Sequence, residues 1–435
     1  MTPSPELRTL PRLLAPILGV LLVSCASYPE RTAVAMGAFR EGHLEKALEE
    51  FRDADTVGSR FLAGAESGTV ALVAGRWEEA LADFERAAAV SRALEDRTLA
   101  DPASLGETLL TWTLNDAQRT YRGEGFERVY LHCGMALSYL ALGKLDDVYV
   151  EARRANRLLE AEEVLYEKKY EAGGFGHLIS ALAYELLGEY GDAYIDYQRM
   201  VEKGVGVEVA GPALVRLAER LGRSQDFERY GREYGEETPS PDAARVVVLA
   251  GIGLGPEKVE GKLVLPTEDG VLSFSGVSYL DFPQSVSGLR VRVGEATSTT
   301  SVVEDVSKVA RENLEDRQLW AFARTVVRGI AKRKLTQRLE KKYGDTGRLV
   351  GDLFSILSER ADLRCWRTLP NTWQATWLFV EPGIHAYSLE ALGGQSQDLG
   401  SFELEPGETL IILARTVEGR LYAHVLGGRP IGATP

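Results

Sequence analysis

Phe39–Ala54, FREGHLEKALEEFRDA, and Leu72–Ala87, LVAGRWEEALADFERA, decide the fold of the first half of the chain. Superposed on Gly42 and Gly75, 33 residues apart, they bring Leu44 onto Trp77, Ala47 onto Ala80, Phe51 onto Phe84 and Ala54 onto Ala87. Glycine turns a chain between two antiparallel helices, because without a Cβ it enters the left-handed region freely. Alanine lets the two helices approach closely, and the aromatic ring fills the space left between them. The pattern returns with looser spacing at Gly143-Lys144-Leu145 with Ala152 and Ala155, and at Gly188-Glu189-Tyr190 with Ala193 and Tyr197. A degenerate pair is expected near Leu217 to Tyr230. One helix pair cannot bury its apolar face alone, so four or five should stack into a curved solenoid.

The period resembles that of the tetratricopeptide repeat, about 34 residues. Arrays of that kind offer a concave surface to a peptide or protein. An insertion at roughly 97–125 breaks the period and carries Asn115-Asp116-Ala117-Gln118-Arg119-Thr120-Tyr121-Arg122-Gly123-Glu124-Gly125-Phe126-Glu127. These residues fit a recognition loop in which Arg119, Tyr121 and Arg122 meet a partner. They fit equally an internal network in which Asp116, Glu124 and Glu127 pair with the arginines, since ion-pair networks and binding sites draw on the same residues.

Upstream of the repeats, Arg8 and Arg12 precede an apolar run from Leu13 to Val23, the layout of a secretory signal and too short to span a bilayer. It ends in Leu22-Val23-Ser24-Cys25, which resembles the bacterial lipobox, so diacylglycerol and an N-acyl lipid such as palmitate are expected on Cys25. Two or three acyl chains, at about 0.8 kcal/mol per buried methylene, hold a soluble body firmly at a membrane. Ala26 and Ser27 stand where an aspartate signals inner-membrane retention, which points to the outer membrane, facing the periplasm. The expected organisation is a signal peptide at 1–24, a lipidated tether at 25–33, tetratricopeptide-like repeats at 34–232, a linker rich in Glu, Pro and Ser at 233–243, and an α+β domain at 244–435.

Beyond the linker the period changes from helical to extended. Arg245 to Ala250 contains VVVLA, a fully buried strand pattern, and further strands are expected at Lys258 to Pro266, Val271 to Phe282 and Gly288 to Val293. Gly251, Gly253 and Gly255 form GxGxG, but Pro256 and another strand-like stretch follow instead of the helix a dinucleotide site requires. Ser301-Val302-Val303-Glu304 reads as a capping box opening a long helix, with apolar residues at Val303, Val306, Ala310 and Leu314. The basic cluster Lys332, Arg333, Lys334, Arg338, Lys341 and Lys342 fits a solvated helix face or a contact with anionic lipid or an acidic partner. A second helix is expected near 348–360. Trp373, Ala375, Trp377 and Phe379 alternate, Pro382-Gly383 turns, and Ile384 to Leu389 can return as a hairpin. Strands at Leu410 to Ala414 and Leu421 to Val425 flank Glu418-Gly419, so the region reads as antiparallel strands with a long helix.

The lipobox, the repeats, NDAQRTYRGEGFERV, VVVLAGIGLGPEKVEGKLVLP, the long helix and Asp362-Leu363-Arg364-Cys365-Trp366-Arg367-Thr368-Leu369-Pro370 together resemble a family of tetratricopeptide-containing outer-membrane lipoproteins of Gram-negative bacteria. Cys365 stands where a small hydroxyl residue is expected. The resemblance implies an accessory role in envelope assembly, beside lipoproteins that activate peptidoglycan synthases. In the last motif, binding would fall to Arg364, Trp366 and Arg367, residue types common at interaction hot spots; the same residues also fit an ion pair with Asp362 beside a packed tryptophan.

Composition narrows the function. A net charge of −14 over 435 residues argues against nucleic acid as a partner. Three cysteines, one assigned to processing, exclude a disulfide framework; Cys133 and Cys365 are read as separate buried thiols, with a single bridge the alternative. His43, His132, His177, His385 and His424 fall in no metal-ligand spacing, and no GxSxG occurs. The expectation is therefore a protein-binding scaffold or adaptor without enzyme activity, metal or other cofactor, whose partners are envelope proteins or peptides, including other outer-membrane lipoproteins. The alternative is a peptidoglycan-active or other envelope enzyme with a carboxylate site between the two domains.

Overall fold

The computed structural model describes residues 26–100, 120–166, 170–236, 238–267, 270–318 and 362–431. Cys25, Asp116, Arg119, the basic cluster at 332–342 and the helix expected at 348–360 lie outside them. Among the described residues the chain is helical up to Tyr234 and rich in strand from Ala244. After α1 (Tyr28–Arg31), helical hairpins pair α2 (Ala33–Glu41) with α3 (Leu44–Arg52) and, past the short α4 (Ala54–Val57), α5 (Arg60–Val73) with α6 (Trp77–Ala100). Then come α7 (Gly125–Ala141) with α8 (Leu145–Tyr166), α9 (Gly174–Leu187) with α10 (Tyr190–Lys203), and α11 (Val207–Arg220) with α12 (Ser224–Tyr234). Each of these five hairpins turns at a left-handed glycine: Gly42, Gly75, Gly143, Gly188 and Gly222, with φ between 68° and 84°. The aligned small positions Ala47, Ala80, Val148 and Ala193 are completely buried. Phe51, Phe84, Ala152 and Tyr197 fill the next aligned position, also buried.

Of the stretch expected as a tether at 25–33, the residues from Tyr28 on are already part of this array. Tyr28 is buried and its hydroxyl donates to Glu66 at 2.7 Å, and Thr32 is buried beside it. At the other end α12 runs to Tyr234, and β1 (Ala244–Ile252) opens the strand region.

Two five-stranded sheets follow. The first has the order β11 (Arg420–Leu426), β10 (Thr409–Val417), β1, β7 (Thr372–Val380), β6 (Ser301–Asp305). The second has β12 (Arg429–Ile431), β9 (Ser396–Leu404), β8 (Gly383–Ala391), β4 (Leu289–Val293), β5 (Ala296–Thr299). A separate ribbon pairs β2 (Glu257–Thr267) with β3 (Gly270–Leu280). The sheets are not purely antiparallel as expected: β1 pairs β10 in parallel, Val246 opposite Leu410 and Leu249 opposite Leu413. The expected hairpin of 373–379 with 384–389 does not form either. At the Pro382-Gly383 corner the chain leaves the first sheet for the second, so β7 pairs with β1 and β6 while β8 pairs with β4 and β9. The hairpin across Glu418-Gly419 does form, both residues at positive φ as a tight two-residue turn demands.

The unbroken apolar run of β1 has a simple cause: the strand is buried on both faces. Ala244, Val246, Val248 and Ala250 pack against the second sheet with Leu289, Val291 and Leu389. Val247 and Leu249 point the other way and share one apolar cluster with the helices, as do Ile411 and Leu413 of β10. Helices, first sheet and second sheet thus form three layers, and one continuous core spans both halves of the chain.

The expected capping box at 301–304 is corrected. Ser301–Asp305 is a strand, and α13, residues 306–318, starts after it, with Asp305 accepting from the Lys308 amide at 2.8 Å. Glu304 caps a different helix: its carboxylate accepts from the Gly173 and Phe175 amides, 2.9 and 3.2 Å away, at the start of α9. Gly174 lies so close to β6 that a Cβ there would stand 1.9 Å from the Val303 carbonyl oxygen.

Consecutive hairpins are also pinned by a repeated histidine. His132 and His177 each lie eleven residues before their hairpin glycine, and each meets an acid eight residues after it. His132 Nδ1 is 2.5 Å from Glu151 and its Nε2 3.1 Å from Glu95, while His177 Nδ1 is 2.8 Å from Asp196. Burial opposes charge on His132, yet the two carboxylates raise its pKa. Burial pushes Glu304 up to about 7, from an ordinary 4.5. Both shifts act in one direction. The His132 contribution is complete below the unfolded value of about 6.5 and is lost as pH rises through the raised one. Glu304 stays protonated in the fold while the unfolded chain ionises between 4.5 and about 7, so stability falls across that window too. Glu95 and Glu185, both held at about 2 by their partners against burial, remove stability only as pH falls below 4.5 toward 2. The melting temperature is therefore expected to peak near pH 5 and decline by several degrees by pH 8. A pH series of thermal melts checks this, and a flat profile between 5 and 8 contradicts both assignments.

Candidate functional site

The face of α5 and α7, within the array where a partner peptide was expected, is occupied by the protein's own residues 362–370. This stretch has no regular structure and runs in front of α5 and α7. Glu66 of α5, fully buried, accepts from the amides of Arg367 and Thr368 at 2.8 and 2.9 Å. Glu127 of α7 accepts from the Trp366 amide at 2.7 Å. The Trp366 indole donates to Thr69 at 3.1 Å and packs against Phe84. Arg367 donates to Thr32 at 2.9 Å and pairs with Glu257 at 3.0 Å. Carboxylates on a helix surface holding the backbone amides of an irregular segment are a means by which a groove grips a peptide; here the segment is internal.

The three signature stretches, more than a hundred residues apart in sequence, meet at this place. Tyr121 is buried and donates to Glu127 at 2.6 Å. Glu124 caps α7 and pairs with both Lys258 of β2 and Arg317 of α13. Arg364 forms two hydrogen bonds with Asp362, at 2.8 and 2.7 Å, and lies over the Tyr121 ring. Burial pushes Glu127 up, whereas Arg317 and Lys258 hold Glu124 down against the same burial. A protonated carboxyl beside an ionised one is an arrangement used in acid–base catalysis. In this pair, however, both oxygens of each residue are engaged. Glu127 takes Trp366 N on one oxygen and Tyr121 Oη with the Glu124 amide on the other. Glu124 gives one oxygen to Lys258 and one to Arg317.

Of the residues singled out as partner contacts, Tyr121, Trp366 and Arg367 are buried and hold the two halves together. Arg122 and Arg364 are half-buried around a small cavity, and Arg119 and Cys25 lie outside the described residues. Glu124 and Glu127 are engaged internally, but by Lys258, Arg317, Tyr121 and the Trp366 amide in place of the insertion's own arginines that were expected, while Asp362 and Arg364 form the ion pair that the second reading of the last motif describes. Sequence reasoning missed the roles of Glu66, Lys258 and Glu304; of these only Glu66, a lone charge among small and apolar residues at 61–71, hinted at a buried partner.

The GxGxG loop has the opposite polarity to a phosphate cradle. The carbonyls of Gly251 and Gly253 point at the buried Arg415 guanidinium, which also donates to the Thr368 carbonyl at 3.1 Å. Among the described residues no carboxylate pairs with it, and burial lowers the Arg415 pKa to about 9. Cys133 and Cys365 are free, buried thiols, both pushed up by burial. A thiol reagent such as Ellman's is expected to label neither in the folded protein and both after denaturation; rapid native labelling of Cys365 would show that the groove segment opens.

No family model and no curated protein matches the chain. Among solved structures, MamA protein has a TM-score of 0.31 at 10% identity, over 49% of this chain and 98% of its own. PilF of Pseudomonas aeruginosa has 0.24 at 16%, over 47% and 89%, and a tetratricopeptide repeat protein of Parabacteroides merdae has 0.21 at 13%, over 51% and 83%. These are distant likenesses of fold, and the repeat architecture rests on the five glycine-turned hairpins themselves. The chain is a tetratricopeptide-like helical array closed on one side by a sheet-rich region.

Proposed function

We propose that this protein is a lipid-anchored scaffold of the bacterial outer membrane that binds envelope proteins without catalysing a reaction. Since residues 362–370 fill the face of α5 and α7, the contact surface lies on the outside of the array. The observation that carries this reading is a row of tyrosines and arginines across the last three hairpins. Tyr149 and Tyr184 meet at a tilt of 51° with centroids 4.7 Å apart beneath Arg153, Arg220 sits 3.8 Å over Tyr190, and Arg223 covers the buried Tyr194 at 4.4 Å. The same hairpins expose Val150, Leu187 and Ile195. Tyrosine and arginine dominate interaction hot spots because each gives a large contact area at a modest entropic cost.

The lipid reading rests on Leu22-Val23-Ser24-Cys25 and on the position of Tyr28. With folded structure starting three residues after Cys25, the anchor would hold the array within about 10 Å of the membrane surface. The competing reading, an envelope enzyme, draws on the Glu124–Glu127 pair and is weakened by the engagement of all four oxygens.

The test combines fractionation with site-directed photocrosslinking. Wild type should take up labelled palmitate and sediment with membranes, Cys25→Ser should do neither, and a crosslinker at position 149 should give a discrete protein adduct that one at position 366 does not. Membrane association that survives Cys25→Ser, or release of fragments from peptidoglycan by the purified protein, would overturn the proposal.

A further inference from the structure

Arg420, Tyr422 and His424 alternate onto one face of β11 and cross the turns of the first two hairpins. At Gly42 a Cβ would stand 2.8 Å from the Tyr422 hydroxyl and 3.1 Å from Arg420 Cδ, and at Gly75 one would stand 2.7 Å from His424 Cε1. His424 also meets the Trp77 ring edge to face, centroids 4.9 Å apart, and the Val73 carbonyl at 3.0 Å. Beneath this row, between α5, α6, α7 and the first sheet, lies a cavity of about 50 Å³. Phe84, Leu249, Trp366 and Leu413 are among its walls, and every lining residue is buried except Leu72, Trp77, Tyr422 and His424. Those four therefore frame its mouth.

The lining is almost wholly apolar. Thr69 is taken by the Trp366 indole, His424 Nε2 by the Val73 carbonyl, and the two terminal nitrogens of Arg415 by backbone carbonyls. A water molecule needs two to four polar partners, so a space of this kind favours carbon over water. Its 50 Å³ is about a third of the dry cavity of roughly 150 Å³ that takes benzene, which leaves room for the end of a carbon chain. The rest of such a molecule has to leave through the mouth. There the row on β11 continues to Arg420, two residues or about 7 Å along the strand from Tyr422. Arg420 is exposed and has no carboxylate partner among the described residues; Glu418, two residues before it, pairs with Arg40 instead. An apolar chamber with an uncompensated cation a short reach beyond its mouth matches a molecule with a carbon tail and an anionic head.

We propose that this cavity binds the tail of a small anionic amphiphile, a fatty carboxylate, with its last carbons between Phe84, Trp366 and Leu413 and its carboxylate at Arg420. The walls come from both halves of the chain, so the bound tail bridges the array to the first sheet and stabilises their contact. The site is separate from the outer row of tyrosines and arginines and does not depend on the anchor at Cys25.

The test uses the full mature chain carrying Cys25→Ser, so that no acyl chain of its own competes, titrated with octanoate and, separately, with 1-octanol and acetate. Octanoate is expected to bind saturably at one molecule per chain, and acetate not at all. As octanoate saturates, the indole resonances of Trp77 and Trp366 in tryptophan-labelled protein should move, while that of Trp377, which does not line the cavity, stays. Leu413→Phe, which fills the chamber, should weaken octanoate and octanol alike by about tenfold. Arg420→Gln, at the exposed head-group end, should weaken octanoate by at least threefold and leave octanol unchanged. Trp77 and Trp366 resonances that octanoate leaves in place, or that acetate moves equally, would overturn the proposal. A folded Leu413→Phe that binds octanoate within twofold of wild type would overturn it too, as would an Arg420→Gln chain that loses less than threefold.

Discussion

Glu66→Ala is expected to destabilise the protein by about 4 kcal/mol, because it leaves three buried donors without an acceptor, each costing roughly 1–3 kcal/mol. Those donors are the Tyr28 hydroxyl and the amides of Arg367 and Thr368, all within 2.9 Å of the carboxylate. Water cannot replace the carboxylate readily, since Glu66 and Thr368 have no accessible surface and Tyr28 and Arg367 have little. Glu66→Gln keeps the volume and one acceptor oxygen and should lose roughly half as much. Urea denaturation of both variants provides the check, with a lower midpoint and an unchanged slope expected. A loss below about 1 kcal/mol for Glu66→Ala would show that side-chain packing alone holds residues 366–368 in the groove.

Lys258→Met should cost a similar amount, about 3–5 kcal/mol, by removing one of the two cations that contact the buried Glu124 and leaving Arg317 as its remaining ion-pair partner, with Arg128 nearby. Adding Glu124→Gln removes the stranded charge, so the double variant should regain much of the loss, and the double-mutant cycle should give a coupling well above that of a surface pair. Equal losses in the single and double variants would mean that Arg317 alone satisfies Glu124. The pH dependence carries a second signature. Because its cations hold Glu124 below the ordinary carboxylate range, its contribution is present above about pH 4.5 and is lost on further acidification. Lys258→Met should therefore flatten the acid limb of the stability curve.

The helical half was legible because its physics is local and repeated. A glycine that must be left-handed, followed by small and aromatic positions at fixed offsets, reports a hairpin, and the degenerate pair keeps the left-handed Gly222 while Phe227 and Gly231 stand at the small and aromatic offsets. β1 and the β10–β11 turn were legible for the same reason: a doubly buried strand is all apolar, and a two-residue turn needs its own residues. Pairing between distant strands leaves no such mark. Nothing in 409–417 states that it lies parallel to 244–252, and the alternation at 373–379 records only that two faces differ, not which strand lies alongside. Ser301 to Glu304 misled because a serine and a glutamate three apart suit a capping box, whereas the glutamate caps α9 from more than a hundred residues away. The groove segment at 362–370 was legible as a signature but not as an occupant. An extended stretch gripped by its amides needs no side-chain period, and its arginines and tryptophan look alike whether they meet a foreign chain or their own.

The covalent attachment of residues 362–370 to the array they fill has a kinetic and thermodynamic corollary. A loose peptide competes for a site at its cellular concentration, but a built-in one competes at an effective concentration in the millimolar range or above, without any entropy of encounter to lose. An outside peptide of equal intrinsic affinity would therefore occupy the site in only a small fraction of molecules.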